Sequence, residues 1–317
     1  MMLAPLAEVV RSGFVESVHF GSLVGLSPAG EVALSIGDVD DVVLPRSSLK
    51  PLQALACRTA GAELTAPHLA IAAGSHTGQD FHVAAVEQIL SGAGLAASAL
   101  QCPADWPRDE ETRMRLIRAG ADQARIRMNC SGKHAAMLAA CVANDWPVQS
   151  YLDSAHPLAA HVQGTIEQLA GERVGHTAVD GCGAPLYGLT LTGLARAIRA
   201  LAGAAPGTAA RAVADAMRAH PEYVGGSGHV NTELMRAIPD AIAKGGAEGV
   251  LVASTVDGHA VAVKLIGGSN IATTPVVVAA LAALGVDTGA ADQLRSVPVL
   301  GGGQPVGEIR AASRLRD

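Results

Sequence analysis

Aromatic residues and lysine are the scarce components of this chain. Of 317 residues only two are Trp, three Tyr and three Phe. That removes the stacking platforms on which single-strand nucleic-acid binders lay bases, and leaves Ala, Val, Leu and Ile to build the core. With a net charge of -6 and no basic cluster, nucleic acid is not an expected partner. No apolar run is long enough to span a bilayer, and the window 275–286 reads as a buried helix instead. Residues 1–13 show no cationic stretch ahead of an apolar run and no cleavage signal, so a cytoplasmic location is expected. The five cysteines are odd in number and scattered, which excludes a disulfide framework and fits a reducing compartment.

The chain is 49% hydrophobic with positive mean hydropathy, enough to bury a large core. No internal repeat or low-complexity linker marks a boundary, so residues 1–317 read as one domain. Residues 15–26 and 31–36, joined by Ser27-Pro28-Ala29-Gly30, alternate like a hairpin. Residues 249–254 and 259–266, joined by Val256-Asp257-Gly258, form a second. Between them lie helical patterns at 51–62, 81–95, 109–120, 132–144, 156–169, 189–202 and 208–220, with a further helix from 275 to 284. The prediction is an α+β fold, with a mostly antiparallel sheet assembled from both chain ends around a helical middle.

Lysine supplies only four of the 23 Lys and Arg residues: Lys50, Lys133, Lys244 and Lys264. Arginine stays protonated, whereas a desolvated lysine can lose its proton and act as a base or ligand. In Ser47-Ser48-Leu49-Lys50 a serine stands three residues before a lysine at a helix start, where a neutral amine would accept the hydroxyl proton. A serine cap followed by a solvated lysine explains the same letters. Gly74-Ser75-His76-Thr77-Gly78 is a polar loop that either delivers a hydroxyl and amides to a site or merely connects two elements. Asn129-Cys130-Ser131-Gly132-Lys133-His134 and Asp180-Gly181-Cys182-Gly183 place two cysteines among glycines and polar residues, where they read as accessible. Cys57 and Cys141, with apolar neighbours, read as core. Two thiolates with Lys133 or His134 and a water would suit zinc, although no C-x-x-C is present. Lys244-Gly245-Gly246 is either a strand entrance open to a ligand or a helix end. Lys264, alternating outward from a strand, reads as solvated or supporting.

In this order the motifs resemble the asparaginase II family, the Rhizobium etli type of L-asparaginase. The resemblance runs from His19-Phe20-Gly21-Ser22 through Pro45 to Ala54, the Ser75-His76 loop, the Cys130 and Cys182 motifs and His220-Pro221-Glu222 to Lys244-Gly245-Gly246. It implies a serine β-lactamase- and glutaminase-like fold and hydrolysis of L-asparagine to aspartate and ammonia, a step of asparagine catabolism, through an acyl-serine. It implies two Ser-Lys tandems: Ser47 attacks the side-chain carbonyl while neutral Lys50 accepts its proton, and Ser75 with Lys244 relays protons or orients the amide, the reversed roles of the two serines being the alternative. It implies substrate contacts from Arg46, Asp180 and His134, one zinc per subunit on Cys130, Lys133 and Cys182, and a homodimer. Gly74, Gly245 and Asn231 depart from the family's usual residues without removing a catalytic group. A glutaminase or other serine acyl-transfer amidase, and a catalytically silent metal-binding homologue, are the competing expectations.

Overall fold

The period-two stretches at the two ends of the chain pair with one another. In the computed structural model, residues 3–315 are described, so the first two and last two positions of the expected 1–317 domain lie outside the described residues. The strands, in chain order, are β1 (Ala4–Arg11), β2 (Phe14–Leu26), β3 (Val32–Ile36), β4 (Val42–Val43), β5 (His176–Val179), β6 (Pro185–Thr190), β7 (Ala241–Gly246), β8 (Val250–Thr255), β9 (Ala260–Leu265), β10 (Ser296–Gly301) and β11 (Gln304–Ala311). Among the described residues the main sheet runs β10-β11-β1-β2-β9-β8-β7 with β3 beside β2, and all its pairings are antiparallel. The fold is therefore α+β with its sheet built from both chain ends, as the alternation predicts.

Both expected hairpins form, as β2-β3 and β8-β9. The sequence does not announce β7, β10, β11 or the small sheet β4-β6-β5. For β7 the reason is burial: every residue of Ala241–Gly246 except Gly245 is buried, so no polar face produces alternation. The strand β8 beside it is buried along its whole length.

The helices Lys50–Thr59, Asp80–Gly92, Glu110–Arg118, Ser131–Ala143, Pro157–Ala170, Leu191–Ala202, Ala209–Ala219 and Thr273–Ala283 stand close to their predicted bounds. Three more among the described residues, Ala66–Ala72, Pro221–Val224 and Val230–Ala237, were not predicted, the first being hidden in a short apolar run. A short 3-10 turn, Arg46–Leu49, packs on β7 and β8. Gly246 makes that approach possible, because a Cβ there would come within 2.4 Å of the Pro45 carbonyl. Among the described residues no helix is long and apolar enough to cross a membrane.

Candidate active site

The loop after helix Ala66–Ala72 turns sharply at Gly74, where a Cβ would stand 2.8 Å from the Tyr223 carbonyl and 3.0 Å from that of Val224. Ser75 follows, held by backbone hydrogen bonds on both sides. Its N–H donates to Val224 O at 2.8 Å, that of His76 to Asn129 O at 3.2 Å and that of Thr77 to Gly225 O at 2.8 Å.

Two buried lysines reach the Ser75 hydroxyl. Lys50, 1% exposed, opens its helix with Pro51 in the first turn and extends its Nζ to Ser75 Oγ at 2.9 Å, Gly74 O at 2.7 Å and Asn129 O at 3.4 Å. Lys244, fully buried in the middle of β7, extends its Nζ to Ser75 Oγ at 2.8 Å and to Gly245 O. The expected Ser75–Lys244 contact is present; a Ser47–Lys50 contact is not. The Lys50 amine goes instead to the buried Gly74 carbonyl and to the Asn129 carbonyl, which also accepts from His76 N–H. Ser47 is partly exposed, and its hydroxyl has no hydrogen-bond partner among the described residues.

Electrostatics favour loss of a proton from this pair. Burial lowers the pKa of Lys50, with a partial opposing effect from the neighbouring Cys130. Burial takes Lys244 well below the ordinary lysine range, and repulsion from Lys50 adds to it. Two ammonium groups sharing one hydroxyl in a dry interior cannot both remain charged cheaply. The Ser75 hydroxyl thus sits between two buried amines whose protonated forms burial disfavours, Lys244 more strongly than Lys50.

The thiols lie next to this cluster and are buried, which corrects the accessible reading: Cys130 is 4% exposed and Cys182 0%. Glycine and polar neighbours mark an interior polar site here, not surface access. The Cys182 thiol donates to Asp180 Oδ2 at 3.6 Å and the Cys130 thiol to Asn129 Oδ1 at 3.3 Å, and the influence of each sulfur on the other lowers the Cys130 pKa well below its usual value and raises that of Cys182. Lys133 Nζ donates to Cys182 Sγ at 3.0 Å. Burial alone would neutralise Lys133, but the two adjacent sulfurs outweigh it and hold the ammonium. Cys57 and Cys141 are fully buried, as expected, and burial raises their thiols to about 12 and about 11.

Among the described residues no group of three His, Cys, Asp or Glu is gathered for a metal. Cys130, Cys182 and Lys133 reach three donors only by including the lysine. Their chemistry nevertheless fits a thiophilic cation, since two sulfurs and an amine converge in a buried space. His134 stands behind them, fully buried, with Nδ1 at 2.8 Å from Tyr151 Oη and its Nε2 unpaired. Burial pushes this ring down to about 4, so it is neutral at pH 7.

Arg46 and Asp180 meet beside Cys182, with Arg46 Nε donating to Asp180 Oδ1 at 2.8 Å. Burial would raise the Asp180 pKa, but the bond from Arg46 and the charge of Lys133 bring it below its usual value. The backbone of Arg46 is left-handed, with φ +54°. That conformation is strained for a non-glycine residue and is found mainly where function holds it.

Sequence reasoning assigned no supporting role to four groups: His76, the carbonyls of Gly74 and Asn129, and Asn231, which stood out only as a departure from the family's usual residue. His76, fully buried, accepts from Gly78 N–H at 3.2 Å through Nδ1 and bonds Ser131 Oγ at 2.9 Å through Nε2, tying the Ser75 loop to the start of helix Ser131–Ala143. Its position beside Ser75 was the available signal. The carbonyls of Gly74 and Asn129 are backbone atoms and leave no signal at all. Asn231, 1% exposed, accepts from Gly245 N–H at 3.0 Å and so fixes the strand carrying Lys244.

A cavity of about 300 Å³ adjoins Arg46, lined by Val42, Val43, Leu44, Glu248 and Lys264. A larger one of about 880 Å³, beside Arg58, His68 and Gln88, contains none of the residues above.

The sequence profile described as L-asparaginase II matches residues 7–311. No curated protein gives a significant match. Among solved structures, a β-lactamase from Mycobacterium bovis is similar at 16% identity and a TM-score of 0.45, over 84% of this chain and 95% of that one. The structure of Mglu in its native form is similar at 14% identity and a TM-score of 0.42, over 78% of this chain and 60% of that one.

Proposed function

The chain belongs to the L-asparaginase II family and is an asparaginase-type amidohydrolase, and on that premise we propose that it hydrolyses L-asparagine to L-aspartate and ammonia with Ser75 as the nucleophile. One observation carries the choice of serine: both buried lysine amines lie within 2.9 Å of Ser75 Oγ, and neither touches Ser47. A nucleophile and its base must be within hydrogen-bond reach.

Lys244, the more strongly depressed lysine, takes the Ser75 proton as Oγ attacks the side-chain carbonyl carbon. Lys50 stays hydrogen-bonded to Ser75 Oγ and holds the nucleophile in place, while the negative charge develops on the substrate's carbonyl oxygen. As the C–N bond breaks, Lys244 returns its proton to the departing nitrogen, which leaves as ammonia. Water then attacks the β-aspartyl ester, Lys244 again accepts the proton, and Ser75 is released. The free Ser47 hydroxyl is available to orient the amide. Arg46 and Asp180 are complementary to the substrate's α-carboxylate and α-ammonium. His134, packed behind Cys182, acts on substrate only by positioning that segment.

Cys130, Lys133 and Cys182 would hold zinc, which would supply a positive charge for positioning substrate. Its ligands must shed protons first, since the Lys133 ammonium and the Cys182 thiol are protonated in the arrangement described.

Rapid-quench measurement of ammonia release from asparagine tests the assignment. Ser75→Ala is expected to abolish the burst and turnover, while Ser47→Ala keeps a burst with reduced rate. Loss of the burst only in Ser47→Ala would transfer the nucleophile to Ser47.

A further inference from the structure

Asn231 is 1% exposed, and among the described residues its Nδ2 has no hydrogen-bond partner. Its Oδ1 accepts from Gly245 N–H at 3.0 Å, and the carbonyl of the same Gly245 accepts from Lys244 Nζ. As an anchor alone the amide is a poor choice. Buried polar groups are nearly always paired, and an orphaned donor is destabilising. An aspartate of the same size would accept the Gly245 proton equally well and leave no N–H unpaired. It would also suit the second position of the helix Val230–Ala237, where the helix dipole favours negative charge. What the amide provides and aspartate does not is neutrality beside Lys244.

One residue separates the two side chains. The contacts through the carbonyl and amide of Gly245 place Asn231 Oδ1 no further than about 9 Å from Lys244 Nζ. The other charges around Lys244 are already set. Lys50 and Arg108 disfavour its ammonium, whereas Cys130 and Asp180 favour it. His229, which accepts from Asn231 N–H, is pushed down to about 4 chiefly by burial and is neutral at pH 7. Arg46, on the turn packed against β7, is paired with Asp180. On the helices that pack against β7, Arg236 pairs with Glu233 and Glu222, and Asp215 with Arg211 and Arg218. The β8 residue opposite Lys244 is Val252.

We propose that Asn231 is a positioning residue for the reaction: it anchors the strand of the general base with a neutral amide, and so sets how far the pH can fall before Lys244 is protonated and turnover stops. Its role rests on the reading of Lys244 as general base given above. Lys244 accepts the Ser75 proton only as the free amine, so activity rises with pH through its titration. A carboxylate at 231 would stabilise the ammonium and move that rise to higher pH, by about one unit at this separation with an effective dielectric of about 20.

The test measures kcat/KM for asparagine against pH in the parent, Asn231→Asp and Asn231→Ala, and follows the titration of Lys244 by NMR on the same proteins carrying isotopically labelled lysine. Four lysines give signals, and Lys244→Met identifies the relevant one. Asn231→Asp is expected to move the acid limb and the Lys244 signal upward together by about one pH unit, with the parent rate regained at high pH. Asn231→Ala is expected to lower the rate by the same factor at every pH and to leave the Lys244 midpoint in place. A rate loss in Asn231→Asp that is uniform in pH, or a Lys244 midpoint that does not move, overturns the role of Asn231 and leaves the asparaginase reading standing. A parent inactive on asparagine removes that reading, and the Lys244 signal then decides by itself: a shift in Asn231→Asp supports the electrostatic role, and an unmoved signal overturns it.

Discussion

Replacing Lys244 with Met separates catalysis from stability. The amine is fully buried and makes two hydrogen bonds, to Ser75 Oγ and Gly245 O. Those bonds contribute about 1 kcal/mol each in net terms. Against that loss, Met fills nearly the same volume and carries no polar tip to desolvate, so the desolvation cost of the neutral amine is removed together with its two bonds. Stability should therefore change by less than about 2 kcal/mol, a melting-temperature shift of at most roughly 4 °C in a chain of this size. Turnover should fall by about 10²- to 10⁴-fold, the usual contribution of a general base, equivalent to roughly 3–5 kcal/mol of barrier. Calorimetry and ammonia release on the same preparation give both numbers. Activity within tenfold of the parent, or a destabilisation above about 2 kcal/mol, would refute the reasoning, because Lys244 would then be structural.

Four further outcomes are expected. His82 is fully buried, and burial brings it down from 6.5 to about 4. Between those values the unfolded chain binds a proton that the folded one does not, so stability present above pH 6.5 is lost as pH falls towards 4, by on the order of 3 kcal/mol for this group. A pH series of melting temperatures, flattened in His82→Gln, checks it. Gly74→Ala drives a Cβ against the Tyr223 and Val224 carbonyls, and should cost about 1–3 kcal/mol together with most of the activity. Lys133→Met should abolish zinc uptake measured by metal analysis while leaving the fold intact by circular dichroism. Chelation should raise KM for asparagine more than it lowers the melting temperature; collapse of the fold would make the metal structural.

The sequence made the terminal hairpins legible because β2 keeps polar positions at Glu16, Ser17, His19 and Ser22 and β9 keeps Lys264. It concealed β7, since a strand buried on both faces looks like any apolar run and its Lys244 looks like a helix end. The rarity of lysine pointed to Lys50 and Lys244, which the fold brings to one serine, but could not pair them. Spacing put Ser47 beside Lys50, whereas the fold brings Ser75, 25 positions further along the chain than Lys50, within 2.9 Å of that amine. Cys130 and Cys182 were recognisable as a pair, yet their polar neighbours suggested exposure because an interior polar site and a surface loop share the same composition. Lys264 was read as solvated because its burial depends on β4 and the Glu248 turn, which are distant in sequence and contribute no pattern of their own.

The most direct test of the account is to quench the protein during turnover of asparagine and locate the β-aspartyl ester by peptide mass spectrometry. The ester is predicted on the peptide containing Ser75, and to be absent when Lys244 is Met. An ester on the peptide containing Ser47, formed at the normal rate, would contradict the claim that the two lysines exist to activate Ser75.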